Sequence, residues 1–503
     1  MIQMRNESAS TERANMTITI IGLGPGSPEM LTRRAWEVLS NASEIYVRTA
    51  RHPTLDGLPS SVKVKSFDYL YEQAATFSQV YSQVADEVLR LGAVSDLIYC
   101  VPGHPLVGEA SVTDLLKRAR AAGIQTEVIA GLSFVEPALT ALGLDALDGL
   151  QVVDALEVAA AHHPALDPDR PALLAQVYNR AVASDVKLTL LNQYPPEHEV
   201  ALLQAVGTQF EQVIHLPLAA IDRRDDLAHL TTLYVPPLPH VSGFAAFQET
   251  IARLRAPDGC PWDREQTHQS LRKYLLEETY EVLEALDADD PGALCEELGD
   301  LLLQIVLHAQ IAVEAEEFRM PEVIAGIDAK IKRRHPHVFG EVKVNSSDDV
   351  TRNWQTIKQA EAEANGKAIQ RLSALDGIPR GLPALAEADA IAEKAARLNF
   401  DWRSIEGVLD KVLEEVRELR SAADQAERED ELGDVFFALA NLARWLKIDP
   451  ESALRAASAK FGARFREVER LSREQGRSMK ELTDPELDAL WNAAKQLVGR
   501  AVD

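Results

Sequence analysis

The sequence predicts a multidomain chain: an N-terminal α/β domain followed by an all-α module built as a tandem repeat. Three observations carry this prediction. The 503 residues are too many for one domain of roughly 150, and the chain changes character near residue 240: residues 1–250 hold 17 basic and 29 acidic side chains, and the remaining 253 hold 35 and 49. Before that point, short apolar runs such as TITIIG (Thr17 to Gly22), DLIYCV (Asp96 to Val101) and KLTLL (Lys187 to Leu191) alternate with helical stretches, the pattern of an α/β domain. From Phe244 onward nearly every segment has helical periodicity, and one block recurs.

Composition narrows the function classes. Hydrophobic residues are 46% and charged residues 26%, enough apolar material for several cores, which excludes disordered and fibrous classes. The net charge of -26 opposes attraction to nucleic acid or to anionic membranes, so any phosphate-bearing partner needs a local basic cluster or a metal. Cys100, Cys260 and Cys295 are odd in number and far apart, with no CxxC pair, which points to a reducing cytoplasm rather than a disulfide framework or zinc site. No run of about 18 apolar residues predicts a membrane span, and the opening MIQMRNESASTERAN has no signal-peptide core. Residues 1–15 read as a tail, with Met16 a candidate first residue.

The α/β domain is expected over 16–238. Its first strand runs into a glycine turn holding Gly22, Gly24 and Gly26, spaced GxGxG rather than as the GxGxxG of a dinucleotide site. VPGHP places Pro102, Gly103, His104 and Pro105 at a second strand end, the ligand edge of such sheets, and AGLSFVEPAL offers Gly131 and Ser133 as a third candidate. Taken alone, His104 fits a structural turn as well as a ligand site. Proline-rich VPPLPHVSG reads as a linker, placed at 239–243, and LDGIPRGLP (Leu375 to Pro383) as a second one. The repeats then occupy 244–370 and 371–503.

Each repeat carries an EExxE block followed by ExxD. LLEETYEVLEAL with EELGDLLLQ holds Glu277, Glu278, Glu281, Glu297 and Asp300; VLEEVRELRSAA with DELGDVFFA holds Glu414, Glu415, Glu418, Glu431 and Asp434. Residues three apart share one side of a helix, so a short turn between antiparallel helices brings four carboxylates together. Such a cluster needs a counter-charge, and an all-oxygen set suits a hard divalent cation such as Mg²⁺. At 100° per residue Glu278 falls within the apolar stripe of Leu271, Leu275, Val282 and Leu286, whereas Glu415 and Glu418 fall off the stripe of Ile405, Leu409, Val412 and Val416. A lone acidic block is most simply a solvated face; recurrence of all five acids favours metal. Basic and aromatic residues follow each block: Lys330, Arg334, Trp354 and Lys358 in the first repeat, Lys460, Arg464, Trp491 and Lys495 in the second. Cations for phosphate and a ring for a base fit a nucleoside polyphosphate.

With GCPWDREQTHQSLRKYLLEE before the first block and RRHPHVFGEV after it, residues 244–503 resemble the two-repeat form of the MazG family of nucleoside triphosphate pyrophosphohydrolases. That resemblance implies an all-α, homodimeric module converting a nucleoside triphosphate to monophosphate and pyrophosphate with Mg²⁺. Glu415, Glu418, Glu431 and Asp434 would hold metal and Lys460, Arg464, Trp491 and Lys495 would contact nucleotide. The equivalents in the first repeat are Glu278, Glu281, Glu297 and Asp300, with Lys330, Arg334, Trp354 and Lys358. The family usually uses its second repeat for catalysis, although the first is intact here and the Glu281 to Glu297 spacing is longer than that from Glu418 to Glu431. Water would attack the α-phosphorus, and Glu277 or Glu414 could accept its proton.

GLGPGSPEMLT, VPGHP and GLSFVEP together resemble the tetrapyrrole (corrin/porphyrin) methylases over about 16–238, which implies a two-lobed α/β fold binding S-adenosylmethionine. QVYNRAVASDVKLTLLNQYPPEHEV is similar to the YabN-like subgroup fused to MazG domains. Gly103-His104-Pro105 stands where biosynthetic methylases carry Gly-Asp-Pro, so cofactor binding is better supported than a known methylation. Two further readings remain open at this point: a methyltransferase with a regulatory nucleotide-binding tail, and a helical half that senses nucleotide without turnover.

Overall fold

The computed structural model describes residues 16–73, 77–364, 373–379 and 381–499, and the chain divides between Cys260 and Pro261 into two compact units. The expected tail (1–15) and the join of the two repeats at 370/371 lie outside the described residues.

The first unit contains two five-stranded sheets. Strands β1 (Thr17–Gly22), β2 (Glu44–Val47), β3 (Lys63–Ser66), β4 (Leu97–Val101) and β5 (Gln125–Ile129) form an all-parallel sheet in the order β3-β2-β4-β1-β5. Its crossovers carry α1 (Arg33–Ser40), α2 (Asp68–Gln73), α3 (Phe77–Gly92) and α4 (Ala110–Ala122). Ile18 and Ile20 pack with Tyr99 and with Val84 and Val88 of α3 on one face; Ile21 and Cys100 pack with Leu39 of α1 on the other. Burial on both faces is why β1 and β4 read as unbroken apolar runs rather than alternating ones.

The second lobe comprises α5 (Val135–Leu142), β6 (Gln151–Asp154), α6 (Ala155–Ala160), β7 (Ala172–Ala175), α7 (Arg180–Leu190), β8 (Glu199–Gln204), β9 (Gln212–Pro217) and β10 (Thr231–Val235). The sheet order is β6-β7-β10-β8-β9, parallel between β6 and β7 and antiparallel elsewhere. Here one expectation fails: KLTLL is not a strand but the end of helix α7. Leu190 completes a buried helical stripe with Val182, Ala183 and Val186 while Leu188 and Leu191 are exposed, and Asn179 caps the helix by accepting from the Val182 amide. The proline-rich segment after β10 is irregular and tied down: the Leu238 amide donates to the Pro168 carbonyl, and Ser242 and Gly243 donate to the Asp169 carboxylate. Helix α8 (Phe244–Arg255) completes this unit.

The second unit is helical throughout its described residues: α9 (Pro261–Glu265), α10 (His268–Asp287), α11 (Pro291–Glu314), α12 (Met320–Arg334), α13 (Pro336–Phe339), α14 (Ser347–Ala364), α15 (Ala384–Ala396), α16 (Ile405–Ser421), α17 (Gln425–Leu446), α18 (Pro450–Glu474) and α19 (Asp484–Gly499). Each repeat is built on a helical hairpin. Turns over residues 288–290 and 422–424 fold α11 along α10 and α17 along α16, and Asp290 and Asp424 cap the returning helices. Helix α15 packs across α17 and α18, and α18 lies against α19. Arg455 of α18 bridges the repeats, 3.4 Å from Asp287 and over the Tyr280 ring of α10. No helix among the described residues is long and apolar enough to cross a membrane.

Candidate functional site

Each hairpin gathers carboxylates. Ligand atoms of Glu278, Glu281 and Glu297 lie within 4.8 Å of one another in the first repeat, as do those of Glu415, Glu431 and Asp434 in the second. Three of the four expected acids therefore meet in each cluster. Asp300 and Glu418 stand beside them and act through their charge.

Counting from the turns explains why the sets differ. Glu297 and Glu431 are each the seventh residue of their helices, but Glu281 precedes the end of α10 by six residues whereas Glu418 precedes the end of α16 by only three. The residue six from the end of α16 is Glu415, so α16 presents Glu415 to Glu431 where α10 presents Glu281 to Glu297. Glu418 is left one turn nearer the hairpin tip.

Burial in the second repeat corrects the helical-wheel expectation. Glu415 is 4% exposed and Val408 1%, while Leu409 and Val416 of the expected stripe are 44% and 38% exposed. Residues 408 and 415, seven apart, share the face that α16 turns inward. The wheel identified an apolar stripe correctly but took it for the buried one. Glu415 is compensated by Lys411, whose Nζ lies 2.6 Å from Glu415 Oε1 and 2.8 Å from Glu414 Oε1. Lys411 lies ahead of the acidic block, whereas the basic residues singled out in the sequence all follow it; its i,i+4 spacing to Glu415 is the signal that announces it.

The first cluster has no such partner: no Lys, Arg or His forms an ion pair with Glu278, Glu281 or Glu297 among the described residues. Partial burial first, then a hydrogen bond with Glu281 and the Asp300 charge, raises the Glu278 carboxyl above the ordinary range. Glu297 is raised by burial and by Glu281 and Asp300; Glu431 by burial and by Glu418, Glu415 and Asp434. Two carboxyls sharing a proton is how an acidic cluster relieves repulsion without a cation. The all-oxygen donor set fits a hard divalent ion.

The basic residues form groups of their own. Arg334 pairs with Glu361 at 2.6 Å and lies over the Trp354 ring at 5.2 Å, with Lys358 over the same ring at 5.1 Å. Arg334 and Arg333 hold Glu361 down at about 2. Lys330 is exposed. In the second repeat Trp491 packs onto Val468, Leu490 and Ala494 and against Phe461, Lys460 is exposed, Lys495 is half-buried, and the half-buried Arg464 has its Nε enclosed without a hydrogen bond. None of these eight side chains makes a hydrogen bond or ion pair to the carboxylate clusters among the described residues.

In the α/β unit the glycine turns meet. A Cβ on Gly22 would lie 2.5 Å from the Gly103 carbonyl and 2.7 Å from the Gly131 amide, and Gly24 and Gly103 exchange backbone hydrogen bonds. Gly24 (φ +74°), Pro102 and Gly103 (φ +66°) line a cavity of ≈ 160 Å³. Gly22, Gly131 and Pro105 pack behind it, and Gly26 faces Thr208. Ser133 is buried at the start of α5, bonded to Glu136. His104 takes the bland role: its Nδ1 accepts from the Leu106 amide within the turn.

The rest of this cavity comes from residues the sequence did not flag. Arg48, His52 and Glu109 face Gln176 (φ +70°) and Ala205 (φ +47°), backbone conformations costly for residues with a Cβ. Arg48 Nε is 3.2 Å from Glu109 Oε2, and the network continues through Ser111 Oγ, which donates to Glu109 Oε1 and lies 3.2 Å from the Tyr99 hydroxyl. Burial pushes the Glu109 carboxyl up against the pull of Arg48 and Ser111. His52, 6% exposed, is lowered to about 4 by burial and then by Arg48, and its Nδ1 has no hydrogen-bond partner. A second cavity of ≈ 550 Å³, with Arg51, Tyr71, Tyr81 and Tyr178, shares Arg48, Gly108, Gln176 and His229 with the first.

Known proteins align with both halves. Residues 17–222 match the Tetrapyrrole (Corrin/Porphyrin) Methylases, and residues 266–339 match the MazG nucleotide pyrophosphohydrolase domain. The uncharacterized protein YabN of Bacillus subtilis is 40% identical over 493 residues, 96% of this chain and 99% of its own. The nucleoside triphosphate pyrophosphohydrolase/pyrophosphatase MazG of Thermotoga maritima is 44% identical over 252 residues, 50% of this chain and 95% of its own. The nucleoside triphosphate pyrophosphohydrolase of Escherichia coli K12 is 43% identical over 252 residues, 49% of this chain and 94% of its own.

Proposed function

Since the chain belongs to the YabN family, with a tetrapyrrole methylase domain followed by a MazG nucleotide pyrophosphohydrolase domain, we propose that its helical half hydrolyses nucleoside triphosphates to nucleoside monophosphate and pyrophosphate with Mg²⁺. The observation that carries this reading is the pair of three-carboxylate clusters on equivalent helical hairpins. Glu415, Glu431 and Asp434, with Glu418 beside them, would hold metal in the second repeat; Glu278, Glu281 and Glu297, with Asp300, would do so in the first. The cation, when bound, supplies charge neutralisation and Lewis-acid polarisation of the phosphoryl oxygens.

The second repeat is proposed as the catalytic one. Lys460, Arg464 and Lys495 would neutralise phosphate charge, with Trp491 against the base; Lys330, Arg334, Trp354 and Lys358 are the first-repeat counterparts. Water attacks the α-phosphorus, the bond to the bridging oxygen of the β-phosphate breaks, and pyrophosphate leaves. Glu414, exposed beside Glu415, would take the water's proton, as Glu277 would in the first repeat. The test is the purified full chain with Mg²⁺ against a panel of nucleoside triphosphates, products resolved by chromatography. Monophosphate and pyrophosphate are expected; diphosphate and inorganic phosphate, or binding without turnover, would refute the reading.

For the α/β half we propose a site for S-adenosylmethionine in the glycine-lined cavity. The unpartnered, buried Nδ1 of His52 and the close backbone of Gly24 and Gly103 support it, since both suit a ligand approaching the strand ends. Calorimetry of the full chain with S-adenosylmethionine and S-adenosylhomocysteine checks this; no heat from either at millimolar concentration counts against it. A homodimer is proposed from the exposed apolar residues Leu298, Leu302 and Ile305 of α11 and Leu432, Phe436 and Leu439 of α17. Sedimentation measures it directly. The three free cysteines fit a cytoplasmic location.

A further inference from the structure

The two clusters differ in one respect that the shared acids conceal: the second brings its own cation. Lys411 lies one turn before Glu415, with its ammonium within 2.6 Å of that buried carboxylate. One turn before Glu281, the register counterpart of Glu415, stands the acid Glu277, and one turn before Glu278 stands Tyr274, whose ring packs edge-on against Trp262. We propose that Lys411 is a built-in counter-ion that a divalent cation must displace from Glu415, so that the second cluster binds such cations more weakly than the first. This inference rests on the metal reading of the two clusters and adds to it a ranking and the residue that sets it.

The physical case is competition for one set of oxygens. Burying a charge is costly unless it is paired, and Glu415, 4% exposed, is paired with Lys411 of its own helix. An arriving cation gains Glu415 only by ending that contact, whereas at the first cluster it meets carboxylates that face one another with no basic partner among the described residues. Displacement leaves Lys411 a partner, because Glu414 Oε1 is 2.8 Å from the same ammonium and exposed. The exchange therefore strands no charge in the interior.

Titration of the full chain with Mn²⁺, followed by the resonance signal of free Mn²⁺, separates the two classes of site. In the wild type the tighter class should disappear in the double variant Glu278→Gln, Glu297→Gln and leave a weaker one. Adding Lys411→Met to that background should tighten the remaining class by about tenfold, while Lys411→Arg keeps it weak. The reciprocal Tyr274→Lys, made in the wild type, should weaken the first class, and it carries the test if Lys411→Met does not fold. An affinity within twofold of the parent after Lys411→Met, or a tighter class that survives the double substitution, overturns the proposal. No Mn²⁺ binding at either cluster would instead refute the metal reading on which it rests.

Discussion

The two repeats hold the same five acids in the same order, yet their sites are not alike. In the first, carboxylates face one another, and partial burial, a hydrogen bond with Glu281 and the Asp300 charge raise the Glu278 carboxyl. In the second, Glu415 is buried against a lysine and Glu418 is displaced toward the hairpin tip. Three residues at the end of one helix and one basic side chain separate a cluster with no basic partner among the described residues from one whose buried Glu415 is paired with Lys411. Duplicated motifs are thus a guide to chemistry only after the register of the supporting helices is known.

The largest test of this comparison is catalytic. Replacing Glu415 or Asp434 by its amide should lower kcat about 10³-fold, roughly 4 kcal/mol of transition-state stabilisation, while Glu278→Gln loses much less. Steady-state kinetics on the three variants decide it, and the reverse order would move catalysis to the first repeat. The next effect is on stability. Mg²⁺ at a hundredfold excess over its Kd should add about 2.7 kcal/mol per independent site, seen as a rise in Tm that EDTA abolishes, with cleavage lost in parallel. Cleavage undiminished in excess EDTA would sink the metal reading.

A third test uses protons against metal. Glu278, Glu297 and Glu431 are raised in the folded state, so each contributes stability that is present below its unfolded pKa and is lost as pH rises through its folded value. Without metal, the clusters therefore strain the fold increasingly as pH rises, and metal relieves that strain. Cation affinity should weaken on acidification from above the normal glutamate pKa of about 4.3; an affinity flat down to that value would contradict the shifts. Smallest is the bridge between repeats: Arg455→Ala should cost about 1 kcal/mol or less, because the Asp287 contact is long and partly exposed. Urea denaturation measures it, and a loss of several kcal/mol would mean the repeats support each other far more than this contact implies.

Much of the architecture was legible in the sequence. Doubly buried strands β1 and β4 showed as apolar runs, the glycine turns marked the strand ends that meet at the cavity, and the acids of both hairpins were identified from their spacing. The failures share a cause. KLTLL has strand composition but sits in a helix because Leu190 continues the stripe begun by Val182. Arg48, His52 and Glu109 reach the cavity from separate turns of the first lobe, and Gln176 and Ala205 from the second, so no local spacing announces them.

By itself the sequence determined the order of two unlike halves, the recurrence of the acidic hairpin and the chemistry its oxygen atoms can offer. These are properties of local periodicity and side-chain type, which neighbours along the chain already specify. Tertiary structure decided which face of α16 is buried, which acids oppose one another across each turn, and that Lys411 rather than solvent neutralises Glu415. Periodicity marks the faces of a helix but not the one that packing covers; that depends on helices such as α17, which meet α16 only when the chain folds back.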